Sequence, residues 1–275
     1  MMKRWGNIGV ITITVMTLFC ASKQEATDES AVQTKDTTVT EQEPLVDEHG
    51  FTNLLAKAPL PDTISLEGGG CILYPLGWSD NSRYFAFGER GDRTRTALED
   101  FFAEFWLIEV EKDNFVKGIS ASIEKRGEGE VLMDSEVESV KENFLKKAKP
   151  YGIPGNKLGE KLEMVVHERT DTHERIELKS KDGKTYELIM NKDFREMEEC
   201  HINGRFELKI TDKTTGKSVW LQKAGKYFQY RNGYFIHSAH IDPTNTYIAV
   251  FTVKTRWGFE GSPEPRFMVN TGRLP

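Results

Sequence analysis

The chain is short of the residues that most often carry chemistry. It has 275 residues with three cysteines, six histidines and ten prolines. Cys20, Cys71 and Cys200 stand far apart. No Cys-x-x-Cys pair exists, so a zinc ribbon is excluded, and Cys200-His201 has no partner motif. Gly68-Gly69-Gly70 is not followed by Lys-Ser or Lys-Thr, which excludes a phosphate-cradling P-loop. There is no Gly-x-Ser-x-Gly elbow, and no Ser-His-Asp set stands out from the scattered serines. No apolar run reaches the roughly 20 residues that a membrane-spanning helix needs. Basic excess is missing too: net charge is −6 and the isoelectric point about 5.7. That argues against a general nucleic-acid binder, which carries a basic face. The 43 acidic residues make paired carboxylates too common to mark a site. No motif implies a cofactor.

What is present begins with an export-like leader over 1–20. Lys3 and Arg4 precede an apolar run, Ile8 to Phe19, of secretory length. Cys20, Ala21 and Ser22 follow. The segment resembles bacterial lipoprotein signals, which end in a cysteine that receives lipid after cleavage. That resemblance implies a membrane partner through an anchor at Cys20. It departs from the pattern at Thr17, where leucine is usual, and at Phe19, where the residue is usually small. Simple secretion with cleavage near Ser22 and an uncleaved anchor are the alternatives. Residues 21–49 are rich in Thr, Ser, Glu, Gln and Asp and read as a disordered tether, since they cannot bury enough apolar surface to order themselves. In an oxidising compartment Cys71 and Cys200 can pair. On the chain-entropy account such a bridge stabilises by about 4–5 kcal/mol. Two separate buried thiols are the other reading.

Residues 50–275 read as one β-rich domain. The 38% hydrophobic and 29% charged composition suits a core of that size. Two stretches share a turn-strand-loop-strand grammar, about 71–116 and 234–271. In the first, Asp80-Asn81-Ser82 turns into a strand over 83–88, then a polar excursion over 90–100, then a strand over 104–110. In the second, Asp242 to Asn245 leads into Tyr247 to Phe251, a loop over 254–265, and a strand over 266–270. Asp80 aligns with Asp242 and the second turn is one residue longer. Tyr84 to Phe87 is apolar on both faces, which predicts burial between layers. One amphipathic helix is predicted at about 135–149, with Ser135 and Glu138 as a capping box. Between 160 and 234, six strands alternate with Asp-Gly and Asn-Gly turns, as hairpins do. The fold class is therefore mainly antiparallel β, propeller-like or sandwich-like, with one packed helix.

Trp78-Ser79-Asp80-Asn81-Ser82-Arg83-Tyr84-Phe85-Ala86-Phe87 resembles the repeat of TolB-like and WD-type propellers. With Gly258-Phe259-Glu260-Gly261 and Arg266-Phe267 near the end, the chain resembles a family of secreted bacterial proteins of unknown function. The resemblance is specific only at the two ends, and it implies no catalytic residues.

The leading binding candidates are the loops at equivalent places in the two repeats. Arg90, Arg93 and Arg95 lie on one; Arg256, Trp257, Phe259, Glu260 and Arg266 on the other. Guanidinium groups fork onto carboxylates or phosphates, and rings stack on sugars or apolar groups. The alternative is that the aromatics plug the core and the arginines pair with local acids. Weak metal candidates are His237, His240 and Asp242, although strand alternation points His237 away from the other two. His167 and His173 are weaker still. Three functions fit: an exported, lipid-anchored, non-enzymatic binding module of the cell envelope, periplasmic or surface-facing, taking an envelope protein or glycan; an envelope hydrolase with a dispersed site; or a structural envelope component with no discrete ligand.

Overall fold

Apolar side chains along the strands alternate between two faces, and the layers follow from which faces need cover. The computed structural model describes residues 60, 62–66, 69–94, 99–127, 130–196, 202–229, 231–257 and 263–275. All belong to one compact unit, Glu43–Pro275. The leader, the tether and Cys200 lie outside the described residues.

The first sheet is an antiparallel meander of β1 (Thr63–Leu66), β2 (Gly69–Trp78), β3 (Tyr84–Thr94), β4 (Glu99–Glu109) and β5 (Asn114–Arg126). A helix, α1 (Asp134–Ala148), follows and ends in a 3-10 turn, Lys149–Tyr151. After the two-residue strand β6 (Glu160–Lys161) comes a second meander: β7 (Glu163–Arg169), β8 (His173–Lys179), β9 (Thr185–Glu196), β10 (Ile202–Asp212) and β11 (Ser218–Gln222). The chain closes with β12 (Arg231–Ile241), β13 (Tyr247–Trp257) and β14 (Pro263–Arg273), which join β6 in a four-stranded middle sheet.

The core explains the name "middle". Phe85 and Phe87 of β3 pack on Phe251 of β13, at ring distances of 5.8 and 5.7 Å. The opposite face of the first sheet, Ala86, Phe105 and Leu107, is covered by Val137, Phe144 and Ala148 of α1. The other face of β13, Ile248 and Val250, packs on Ile176, Leu188, Leu208 and Ile210 of the β7–β11 sheet. The order is helix, first sheet, middle sheet, hairpin sheet. The strand core that reads as apolar on both faces, in β3, is covered on both, and so is that of β13. The arrangement is mainly antiparallel β in stacked sheets with, among the described residues, a single packed α-helix.

Four details differ from the sequence reading. The helix begins earlier than Ser135 can cap it: the Glu136 carboxylate reaches back to the Met133 backbone N–H at 2.9 Å. Arg90 fixes this entry by binding the Leu132 carbonyl at 2.7 Å and the Asp134 carboxylate. Second, the repeat turns are equal in length and align Ser79 with Asp242. Ser79 N–H donates to Tyr84 O and Asp242 N–H to Tyr247 O, at 2.9 and 3.0 Å. Ser82 and Asn245 take the matching left-handed position, at φ 56° and 55°. Third, the polar excursions are not long loops. The arms of β3–β4 and β13–β14 each run eleven residues and leave only 95–98 and 258–262 between them. Fourth, the last of the six predicted hairpin strands, around Tyr234, leaves its neighbours and joins the middle sheet.

Candidate functional site

Long arms carry three hairpins toward one end of the molecule. The β3–β4 and β13–β14 pairs lie alongside each other with like ends adjacent. At the turn end, Thr271 Oγ1 donates to Val110 O at 3.0 Å and Tyr247 OH to Glu111 at 2.7 Å. At the tip end, Arg266 of β14 bridges Glu89 of β3 and Glu104 of β4. The β9–β10 hairpin reaches the same end: Tyr234 OH donates to Gly204 O at 3.1 Å, and the Tyr234 and Phe194 rings stack 6.0 Å apart.

Charge at this end is organised by Glu89, which is 1% exposed. Its Oε1 accepts Arg266 Nε at 2.7 Å, and its Oε2 accepts the Phe267 N–H at 2.7 Å and the Cys71 thiol at 3.1 Å. Glu89 and Glu104 are direct cross-strand partners. Two carboxylates in that position repel each other. Arg266 offsets the repulsion, and its guanidinium also covers the Phe102 ring at 4.2 Å. These carboxylates hold the arginine firmly charged, against the cost of its burial. Cys71 is a buried free thiol. Burial first, then the Glu89 charge, pushes its ionisation well above the ordinary thiol range, which suppresses the nucleophilic thiolate.

The sequence-predicted binding residues divide. Arg256 Nε binds Glu264 at 2.7 Å, and Glu264 is 1% exposed. Arg266 is held as above. These two side chains thus pair with local acids, the alternative reading of the loop arginines. Arg90 points to the helix side instead of the tip. Arg93 and Trp257 occupy register positions opposite Asp100 and Pro263. Arg95, Phe259 and Glu260 lie outside the described residues, as do Cys20 and Cys200.

The metal candidates show why simple alternation misleads. The β12–β13 ladder slips between Ile236 and Ser238, a bulge at His237. The bulge turns His237 and His240 to the same layer: His237 meets Phe267 edge-on at 5.0 Å and His240 meets Phe251 at 5.7 Å. The predicted opposition of the two rings is therefore wrong. Asp242 is engaged in its own turn, accepting the N–H groups of Thr244, Thr246 and Tyr247 at 2.9, 2.7 and 2.6 Å. Burial works against its charge, but the bonds from Ser82, Thr244 and Tyr247 hold it below the usual carboxylate range. His167 and His173 stand 3.8 and 3.4 Å from Glu177 and Glu168. Among the described residues no group of three or more His, Cys, Asp or Glu is placed to hold a metal.

Sequence reasoning missed several groups. Lys254 and Arg231 sit beside the Arg266 and Arg256 ion pairs on the middle sheet. The guanidinium groups of Arg195 and Arg205 both lie over the Tyr227 ring, at 4.2 and 4.4 Å. A fully buried set also ties the hairpin sheet to the bulge. Glu174 binds Arg169 at 3.1 Å and Lys192 at 2.8 Å and accepts the Ile236 N–H, while Arg169 donates to Ile236 O. A lysine inside a strand covered on both faces was the available signal for Lys254. At the turn end there is an open polar groove of about 570 Å³ between Lys157, Glu160, Lys181 and Asp242.

Fold and site together define a stacked-sheet antiparallel β-protein whose three long hairpin arms run to one end, where buried ion pairs are concentrated. Comparison with protein-family models, with curated proteins and with solved structures finds no match to this chain. No helix among the described residues is long and apolar enough to cross a membrane.

Proposed function

We propose that this is an exported cell-envelope protein, lipid-anchored at Cys20, that acts as a non-enzymatic binding module. Its partner is an envelope protein or a glycan, and it belongs with the secreted bacterial proteins that share its Trp78 and Gly258 motifs. The leader and the polar stretch after it support export on a tether. The observation that carries the binding role is the convergence of three hairpins, with arms of eleven or twelve residues, on one end. A rigid sheet that projects short loops is a scaffold for recognition. In the sequence, Trp257 and Phe259 add aromatic residues, and Arg93 and Arg95 cationic ones, to the segments at or between the ends of these arms.

Site-specific photocrosslinking in whole cells tests the reading. A photoreactive residue at position 97 or 259 is expected to give a discrete adduct, and one at position 183 is not. Equal adducts at all three positions, or none at any, would remove the binding role. Intact mass of the mature protein checks the anchor, by diacylglyceryl mass on an N-terminal Cys20.

A further inference from the structure

Four cations stand together on the middle sheet at the tip end. Arg231 lies directly across from Arg256, and Arg256 across from Glu264. One row further from the tip, Tyr234 lies across from Lys254, and Lys254 across from Arg266. Each row thus places two like charges directly opposite, which costs stability unless something neutralises them. Glu264 neutralises Arg256, and Glu89 with Glu104 neutralises Arg266. Arg231 and Lys254 have no hydrogen bond or ion pair with another described residue. Both residues are partly exposed. Among the described residues of the cluster, four cations against three carboxylates leave one net positive charge.

We propose that Arg231 and Lys254 form a binding site for one carboxylate group of an acidic ligand. The guanidinium of Arg231 offers paired donors matched to a planar carboxylate, and the Lys254 ammonium offers a point charge. The single net charge favours a carboxylate over a doubly charged phosphate. The inference deepens the binding role above and rests on it only for biological meaning. Burial and the neighbouring arginines Arg231 and Arg266 lower Lys254 to about 8, with Glu89 and Glu104 opposing. A bound carboxylate raises it again, so the amine itself reports occupancy.

The test is pulsed acetylation of Lys254 in the purified full chain, read by mass spectrometry against pH. The probes are glucuronate, dialanine, inorganic phosphate and, as the uncharged control, glucose. A carboxylate that raises the Lys254 amine by one unit slows its labelling at pH 8 about fivefold. Glucuronate or dialanine is expected to do so, and whichever protects at lower concentration distinguishes an acidic sugar from a peptide terminus. Arg231→Gln is expected to abolish the protection and Arg231→Lys to retain part of it, which separates lost binding from lost folding. No protection by either carboxylate, or equal protection by glucose, overturns the site, as does stronger protection by phosphate. Protection without tip crosslinks in cells would keep the site and remove the envelope-binding role; crosslinks without protection would do the reverse.

Discussion

Individual side chains in this protein are set by what surrounds them in three dimensions. His240 shows it best. It is 5% exposed and packs against Phe251. Burial, with the Lys161 ammonium and His237 adding to it, lowers its ionisation to about 4, and Asp62 opposes only in part. An unfolded histidine titrates near 6.5, so between about 4 and 6.5 the unfolded chain binds the extra proton. Stability from this residue is therefore complete above pH 6.5 and is lost as pH falls toward 4, by up to about 3 kcal/mol. Urea unfolding at pH 7 and pH 4.5 measures it. His240→Gln is expected to shrink the difference between the two pH values, and equal differences in both proteins would rule the histidine out. Lys254 carries the same sign at higher pH: its contribution grows as pH rises from about 8.

At the scale of elements, two turns with one geometry are closed by unequal chemistry. Ser79 Oγ accepts one backbone donor, Tyr84 N–H, at 2.9 Å. Asp242 accepts three, from Thr244, Thr246 and Tyr247. Removing it leaves several donors unpaired in a partly buried turn. Asp242→Ala is expected to cost about 2–3 kcal/mol and Ser79→Ala about 1 kcal/mol. Chemical denaturation of the two variants compares them, and equal costs would show that the turns are held by their strands. The turn after β12 is also pressed from outside. Gly159 sits at φ +72°, and a Cβ there would stand 2.1 Å from Ile241 O. The crossing segment before β6 passes the middle sheet closely only because that residue is glycine.

For the whole molecule, the middle sheet is the interior. Its β13 strand packs on both sides, while β1 and β11 each lie at one edge of an outer sheet, with β5 and β7 at the other edges. Hydrogen exchange should therefore rank the layers: amides of β13 slowest, those of β1 and β11 fastest. Comparable rates in β11 and β13 would contradict the stacking. The buried Glu174 set joins two of these layers at the bulge in β12. Its charges are costly to bury and are offset by mutual pairing and by the backbone groups that the bulge frees.

Much was legible in one dimension because it is governed by local period. The alternation in 162–169, 175–180, 185–190 and 205–210 placed the hairpin strands, and apolar spacing placed the helix within a residue or so. The doubly apolar run at Tyr84 required cover on both faces, and the middle sheet and helix α1 supply it. Residues 90–94 and 99–100 read as loop because their polar sequence shows no buried face, yet they pair as strand, and the adjoining Glu89 and Glu104 are held by Arg266, more than 160 positions away. The facing of His237 hung on one bulge, which no period records. Pattern by itself decided the class of fold and the apolar cores of many of its strands, since both rest on neighbours in the chain. Which charges meet, which faces close and which cations stay unpaired were decided only by tertiary packing, because electrostatic pairing and burial act across space between segments that the sequence leaves far apart.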